Sequence, residues 1–245
     1  GVSASAPLDS HPTQASQEAQ EVAQAVTEKI REAEERFQHP VGDPEVYLQL
    51  GYVAYGNQEY HEAIERYTEA IQLDPRCVMA YTSRGQAYSQ LGHYQTAIQD
   101  LNLAISLDPG FADAYNNRAF ANHYIGEHQR AIQDYDNAIK LDPENAKAYH
   151  NRGYAYGRLG QFKRAIEDFD EGIRLRPEDA EDYRNRGVTY EQLGQKERAI
   201  EDFDEAIRLD PEYVFAYHNR GAAYARLGQF KRAIEDYDEA IRLDP

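Results

Sequence analysis

Residues 146–177 read AKAYHNRGYAYGRLGQFKRAIEDFDEGIRLRP. Tyr149, Gly153 and Tyr156 follow helical spacing, Leu159-Gly160 interrupts it, and Phe162, Ala165, Ile166, Phe169, Gly172 and Ile173 resume it. Pro177 then stops the pattern, because its ring and missing N–H cannot continue a helix. The stretch predicts two helices joined by a tight turn. Gly153 and Ala165 leave room for the two backbones to come close, and the aromatics fill the space around that contact. One such pair cannot bury both of its faces, so it calls for neighbours of the same kind.

The rest of the chain supplies them. Pro75, Pro109, Pro143, Pro177, Pro211 and Pro245 stand 34 residues apart, as do Tyr47, Tyr81, Tyr115, Tyr149, Tyr183 and Tyr217. Ala63, Ala97, Ala131, Ala165, Ala199 and Ala233 keep the same step, so residues 44–245 are six copies of one unit: 44–77, 78–111, 112–145, 146–179, 180–213 and 214–245. This series of Tyr, Gly, Tyr, Ala, Phe/Tyr, Ala and Pro resembles the tetratricopeptide repeat. The resemblance implies an all-α, right-handed superhelical solenoid of antiparallel helix pairs, with the first helix of each pair lining a concave groove that binds a peptide. Three positions depart from the pattern. Ala54 and Asn122 stand where Tyr88, Tyr156, Tyr190 and Tyr224 stand elsewhere, and Gln58 replaces the turn glycine. Asn122 reads as a local packing adjustment or as a groove feature. The pentatricopeptide family, which reads RNA, is disfavoured by the period and by the charge.

The 245 residues include 43 acidic and 26 basic side chains, a net charge of −17, which repels phosphate backbones and makes nucleic acid a poor partner. No apolar run approaches the roughly 18 residues of a membrane span, and Cys77 stands alone. Residues 1–12 are Ala/Ser/Pro-rich and expected to be disordered. The compartment stays open: cytoplasmic, or exported if this start remains from a processed leader. Residues 13–43 hold a helix and linker, with Val22, Val26, Ile30, Ala33 and Phe37 on one side of residues 13–37. That helix is expected to cap the first repeat or to dock on a partner.

On a helical wheel, Lys147, His150, Asn151, Tyr154, Gly157 and Arg158 lie opposite the packing side and should face the groove. The register of Asn151 gives a column, Asn117, Asn151, Asn185 and Asn219. A primary amide offers a donor and an acceptor, so it can hold the backbone of an extended peptide whatever its side chains. The column resembles the asparagine ladder of peptide-binding tetratricopeptide grooves; the bland alternative is a merely solvated face. Lys147, His150, Arg158, Arg184, His218 and Arg226 would select charge beside it, opposed by Glu181 and Glu191, and Tyr52, Tyr55, Phe120, Tyr124, Tyr154 and Phe215 add aromatic surface. The carboxylate clamp of chaperone-binding members does not fit, since no register provides its Lys/Asn pair.

Arg84, Arg118, Arg152, Arg186 and Arg220 occur together with Asp100, Asp134, Asp168, Asp202 and Asp236, sixteen residues further on, which suggests an ion pair between the helices of each pair. Asp168 and Asp170 recur on the outer helix without a cleft, with Asp170 expected to pair with Arg174. His123 and His128 lack the company of a metal site, and the glycines are accounted for by turns and close packing. No catalytic residue, metal or cofactor is expected. The chain reads as a protein-interaction adaptor for an extended acidic peptide. The alternative is a self-assembly module, a homo-oligomer formed through the C-terminal repeat, whose last helix carries Phe230, Ala233, Ile234, Tyr237, Ala240 and Ile241.

Overall fold

The computed structural model describes residues 43–244. The expected start and amphipathic helix, residues 1–12 and 13–37, lie outside them. Among the described residues there are twelve α-helices and no strand. They are α1 (Pro44–Gly56), α2 (Tyr60–Leu73), α3 (Val78–Gln90), α4 (Tyr94–Leu107), α5 (Ala112–Tyr124) and α6 (His128–Leu141). The series continues with α7 (Ala146–Arg158), α8 (Phe162–Leu175), α9 (Ala180–Gln192), α10 (Lys196–Leu209), α11 (Val214–Arg226) and α12 (Phe230–Leu243). None of them is long and apolar enough to cross a membrane. The chain divides into two compact units, Gly1–Leu91, which holds α1–α3, and Gly92–Pro245, which holds α4–α12.

Local chemistry sets the helix ends. Asp43, Asn145 and Asp179 cap α1, α7 and α9 by accepting backbone N–H bonds of 3.0–3.1 Å. Within a pair the chain turns through a left-handed residue: Gly160 has φ +70° and Gly194 has φ +73°. Gln58 adopts the same conformation at φ 64°, although it has a Cβ. After α2, α4, α6 and α10, the Asp before each proline accepts a bond from the N–H two residues on, closing the turn between pairs.

Packing follows the small residues. A Cβ on Gly153 would stand 3.0 Å from the Phe169 ring and 3.2 Å from the Ala165 carbonyl oxygen. Phe169 and Phe203 are buried, each lying over a glycine of the partner helix. In the second unit α6, α8 and α10 each pack against the first helix of their own pair and against that of the next pair. Successive first helices α5, α7, α9 and α11 touch one another, whereas the second helices do not. First helices therefore form the more closely spaced layer, on the concave side.

The interhelix ion pairs form at Arg118–Asp134, Arg152–Asp168, Arg186–Asp202 and Arg220–Asp236. In each, Nε and Nη2 donate to the two carboxylate oxygens at 2.6–2.9 Å. Arg84 belongs to the first unit and Asp100 to the second. Each of the four arginines also reaches backwards. Nη1 of Arg152, Arg186 and Arg220 donates at 2.6 Å to Asp136, Asp170 and Asp204, and that of Arg118 donates at 2.7 Å to Asn102. One guanidinium thus ties its own second helix to that of the preceding pair. Asp170 is engaged by Arg186 and not by Arg174, which pairs with Glu171 at 2.6 Å; the expected Asp170–Arg174 bridge does not form. Burial disfavours the charge on Arg152, but Asp168 and Asp136 more than restore it, so its pKa is raised. Burial is the largest influence on the Asp168 carboxyl and, together with the charges of Asp136 and Glu167, raises its pKa against the lowering by Arg152. Asn122 is buried, and its Nδ2 donates to Asp134 at 3.2 Å, so it belongs to this network.

Candidate functional site

Helices α5, α7 and α9 of the second unit enclose a cleft of about 730 Å³. Its residues fall into two walls. On one side stand Phe120, His123 and Tyr124 of α5 with Tyr154 of α7. Phe120 and Tyr124 have ring centroids 4.6 Å apart, and His123 lies 5.2 Å from Tyr154 and 4.6 Å from His128 of α6. Burial, with His128 and Arg158 adding to it, lowers the His123 pKa to about 4, so this wall is uncharged at neutral pH. Tyr124 and Tyr154 remain about half exposed to the cleft.

The rest of the lining carries the bases. Lys147, His150 and Arg158 come from α7 and Arg184 from α9, with the amides of Asn151 and Asn185 between them. The elements explain the convergence, since the first helices touch and present successive registers side by side. Arg184 donates to Asn185 Oδ1 at 2.8 Å, and its guanidinium lies 5.7 Å from the Phe215 ring centroid. That bond engages the oxygen of the Asn185 amide, and the residue is buried. His150 is anchored from below: its Nδ1 lies 2.5 Å from Oδ1 of Asp182, which is fully buried. Burial works against the charged imidazole, but the bond and charge of Asp182, with Glu181 and Asp179, outweigh it and the His150 pKa is raised.

Of the expected site residues, Asn151, Asn185, Tyr154, Lys147, His150, Arg158 and Arg184 line this one cleft. Asn117, Asn219, His218 and Arg226 do not. Arg226 is paired with Glu191 at 2.6 Å, so its charge is matched. His218 packs 5.6 Å from the Tyr237 ring, and Nδ2 of Asn219 is buried with no hydrogen-bond partner in the structure.

Three contributing residues escape a helical wheel drawn on one repeat. Gly172 stands where the other five copies have Ala, Arg176 where five have Asp, and Asp182 where four have Ala and one has Val46. These departures are coupled in space. A Cβ on Gly172 would sit 2.8 Å from Asp182 Oδ2, so the missing methyl makes room for the carboxylate. Arg176 bridges Asp179 at 2.7 Å and approaches Asp182 at 3.5 Å. The signal was present in the sequence as a break in the repeat at three positions within eleven residues. Among the described residues, no three His, Cys, Asp or Glu side chains gather as a metal ion would require.

Family models described as tetratricopeptide repeat match residues 48–112, 150–214 and 214–245, and one described as TPR repeat matches residues 123–160. Among solved structures, the MamA protein is 28% identical, with 69% of this chain and 92% of that chain covered at a TM-score of 0.59. YrrB, described as a TPR protein with an unusual peptide-binding site, is 22% identical over 77% of this chain and 95% of its own, at a TM-score of 0.59. A tetratricopeptide repeat protein from Parabacteroides merdae ATCC 43184 is 18% identical over 94% of this chain and 91% of its own, at a TM-score of 0.70. The last two are likenesses of fold alone. No curated protein matches the chain.

Proposed function

Because the chain belongs to the tetratricopeptide-repeat family, we propose that it is a protein-interaction module whose second unit binds an extended, acidic peptide segment along its first helices. Family members are in general scaffolds rather than enzymes, and this reading assigns no catalytic group. The observation that carries it is the cleft between α5, α7 and α9, where two asparagine amides and four nitrogen bases meet. The amides hold peptide N–H and C=O groups, and Lys147, Arg158, Arg184 and His150 favour a negatively charged sequence. YrrB, of the same fold, is a precedent for a peptide in such an array.

The test is selection of a displayed library of random dodecapeptides on the protein, followed by titration of synthetic peptides from the retained clones. Each amide bond contributes about 0.5–1.5 kcal/mol net, so the double variant Asn151→Ala/Asn185→Ala should bind about 1–3 kcal/mol more weakly with unchanged helicity. Undiminished affinity in that variant, or a library that yields no binder, would contradict the proposal.

A second reading, self-association through α12, draws on a different observation. Phe230, Ile234 and Ile241 are 66%, 58% and 63% exposed, whereas Ile166, Ile173, Ile200 and Ile207 at the matching positions of inner repeats are half-buried. It predicts a mass in solution that rises with protein concentration and that Ile234→Lys returns to the monomer value. A constant monomer mass rejects it.

A further inference from the structure

We propose that the cleft is a two-part anchor: it takes an aromatic side chain against the rings of α5 and Tyr154 and an acidic side chain at Arg158, the base of the lining that stands beside those rings. The two ligand residues lie within two positions of each other. This rests on the peptide-binding reading above and names the sequence class that reading would select.

The internal copies separate the positions that pack from those that face the cleft. The packing column Arg84, Arg118, Arg152, Arg186 and Arg220 is uniform. The column of Lys147 reads Glu45, Met79, Asp113, Lys147, Glu181 and Phe215, and that of His150 reads Leu48, Thr82, Asn116, His150, Arg184 and His218. Packing therefore does not dictate what stands at these positions, and the chemistry gathered there needs another reason. In a chain with 43 acidic and 26 basic residues, Lys147, Arg158 and Arg184 meet in one concavity with no ion-pair partner among the described residues. Two carboxylates at the same end are already engaged, Asp179 by Arg176 and Asp182 by His150, which leaves only Glu181 to oppose them. A concave site focuses such a field.

Beside Arg158 the lining offers rings. Tyr124 and Tyr154 present about half of their surface, Tyr124 is stacked on Tyr94 with ring centroids 5.2 Å apart, and Phe120 supports it from the side. Rings held in this way favour offset or edge-on contact with another ring. Pockets for small ligands run from about 300 to 1,000 Å³, so about 730 Å³ accommodates two side chains and the backbone between them. Side chains two apart on an extended strand point the same way about 6.6 Å apart, so a ring and a carboxylate at that spacing reach neighbouring groups of one surface.

The dodecapeptide selection supplies the ligands, and anisotropy titrations on the intact chain supply the readout. The retained sequences should be enriched in Phe, Tyr or Trp within two residues of Asp or Glu. Arg158→Glu should weaken a selected peptide at least tenfold, and replacing the acidic residue of that peptide by Lys should restore most of the loss. Tyr154→Ala should weaken the same peptide without altering its dependence on salt. Retained peptides that compete with one another but lack the aromatic–acidic pair would overturn this inference and leave the peptide-binding reading intact. Equal affinity for wild type and Arg158→Glu would also overturn it. A library yielding no binder would overturn both.

Discussion

Asp168 and Asp170 are two residues apart on one helix and should behave very differently. The side chain of Asp168 is 7% exposed and accepts two bonds from Arg152, while that of Asp170 is 53% exposed and takes one from Arg186. Asp168→Ala leaves a largely buried guanidinium with the exposed Asp136 alone and should cost about 3 kcal/mol in urea denaturation, whereas Asp170→Ala should cost about 1 kcal/mol or less. Equal losses would mean that the bidentate pair is not the one that matters. Gly172 and Asp182 provide a second test. Gly172→Ala should destabilise the protein because its methyl meets the Asp182 carboxylate, yet the double variant Gly172→Ala/Asp182→Ala restores the residue pair found between the first and second repeats, where Ala70 and Ala80 belong to one buried cluster. The coupling between the two changes should fall at about 0.5–3 kcal/mol, and strict additivity would contradict the steric account. The first arginine bond was legible in the sequence because Arg and Asp columns appear and vanish together. The second was not, since Asp170 and Arg186 belong to different repeats and a wheel drawn on one helix cannot place them.

Turns and helices add effects that no single contact carries. Gln58 holds a left-handed φ of 64° where the other turns use glycine. That conformation costs a residue with a Cβ about 1–2 kcal/mol, and glycine's extra freedom when unfolded offsets about 0.5–1 kcal/mol, so Gln58→Gly should stabilise by about 0.5–1 kcal/mol. A thermal midpoint lowered by Gln58→Gly would contradict the argument. The helices around the cleft also set a pH response of opposite signs. The raised His150 pKa means that the folded chain keeps a proton which the unfolded chain releases above about pH 6.5. Its contribution to stability is therefore complete below about pH 6.5 and is lost as pH rises through the raised value. His123 works the other way: its folded pKa of about 4 means that acidification from about pH 6.5 toward 4 favours the unfolded chain. His150→Gln should lose more stability at pH 6 than at pH 9, and His123→Phe should gain relative stability at pH 5 over pH 8. Differences that do not change with pH would sink both assignments. The groove positions on α7 were legible from helical periodicity, because Lys147, His150, Asn151, Tyr154 and Arg158 share one side of a helix. The part of Asp182 and Arg176 was not, because their effect on His150 arises where α7 and α9 meet.

Across the whole chain, the net charge of −17 and the basic cleft belong to different layers of the fold. In the second unit, second helices carry runs such as Glu167–Glu171, whose carboxylates pair with arginines of first helices, pair within their own helix or stand in solvent, while Lys147, Arg158 and Arg184 line the cleft with no ion-pair partner among the described residues. The period of 34 makes the repeat architecture plain in the sequence, since six prolines and six tyrosines keep one step. It does not say where along the array a ligand would sit, and the full four-asparagine column is broader than the cleft, which contains Asn151 and Asn185 alone. Peptide occupancy of the concave layer is the central claim, and amide hydrogen exchange with and without a library-selected peptide tests it most directly. The account predicts added protection within Ala112–Tyr124, Ala146–Arg158 and Ala180–Gln192, strongest in the second of these, with little change in the second helices. Protection confined to Phe162–Leu175, Lys196–Leu209 or Phe230–Leu243 would contradict it.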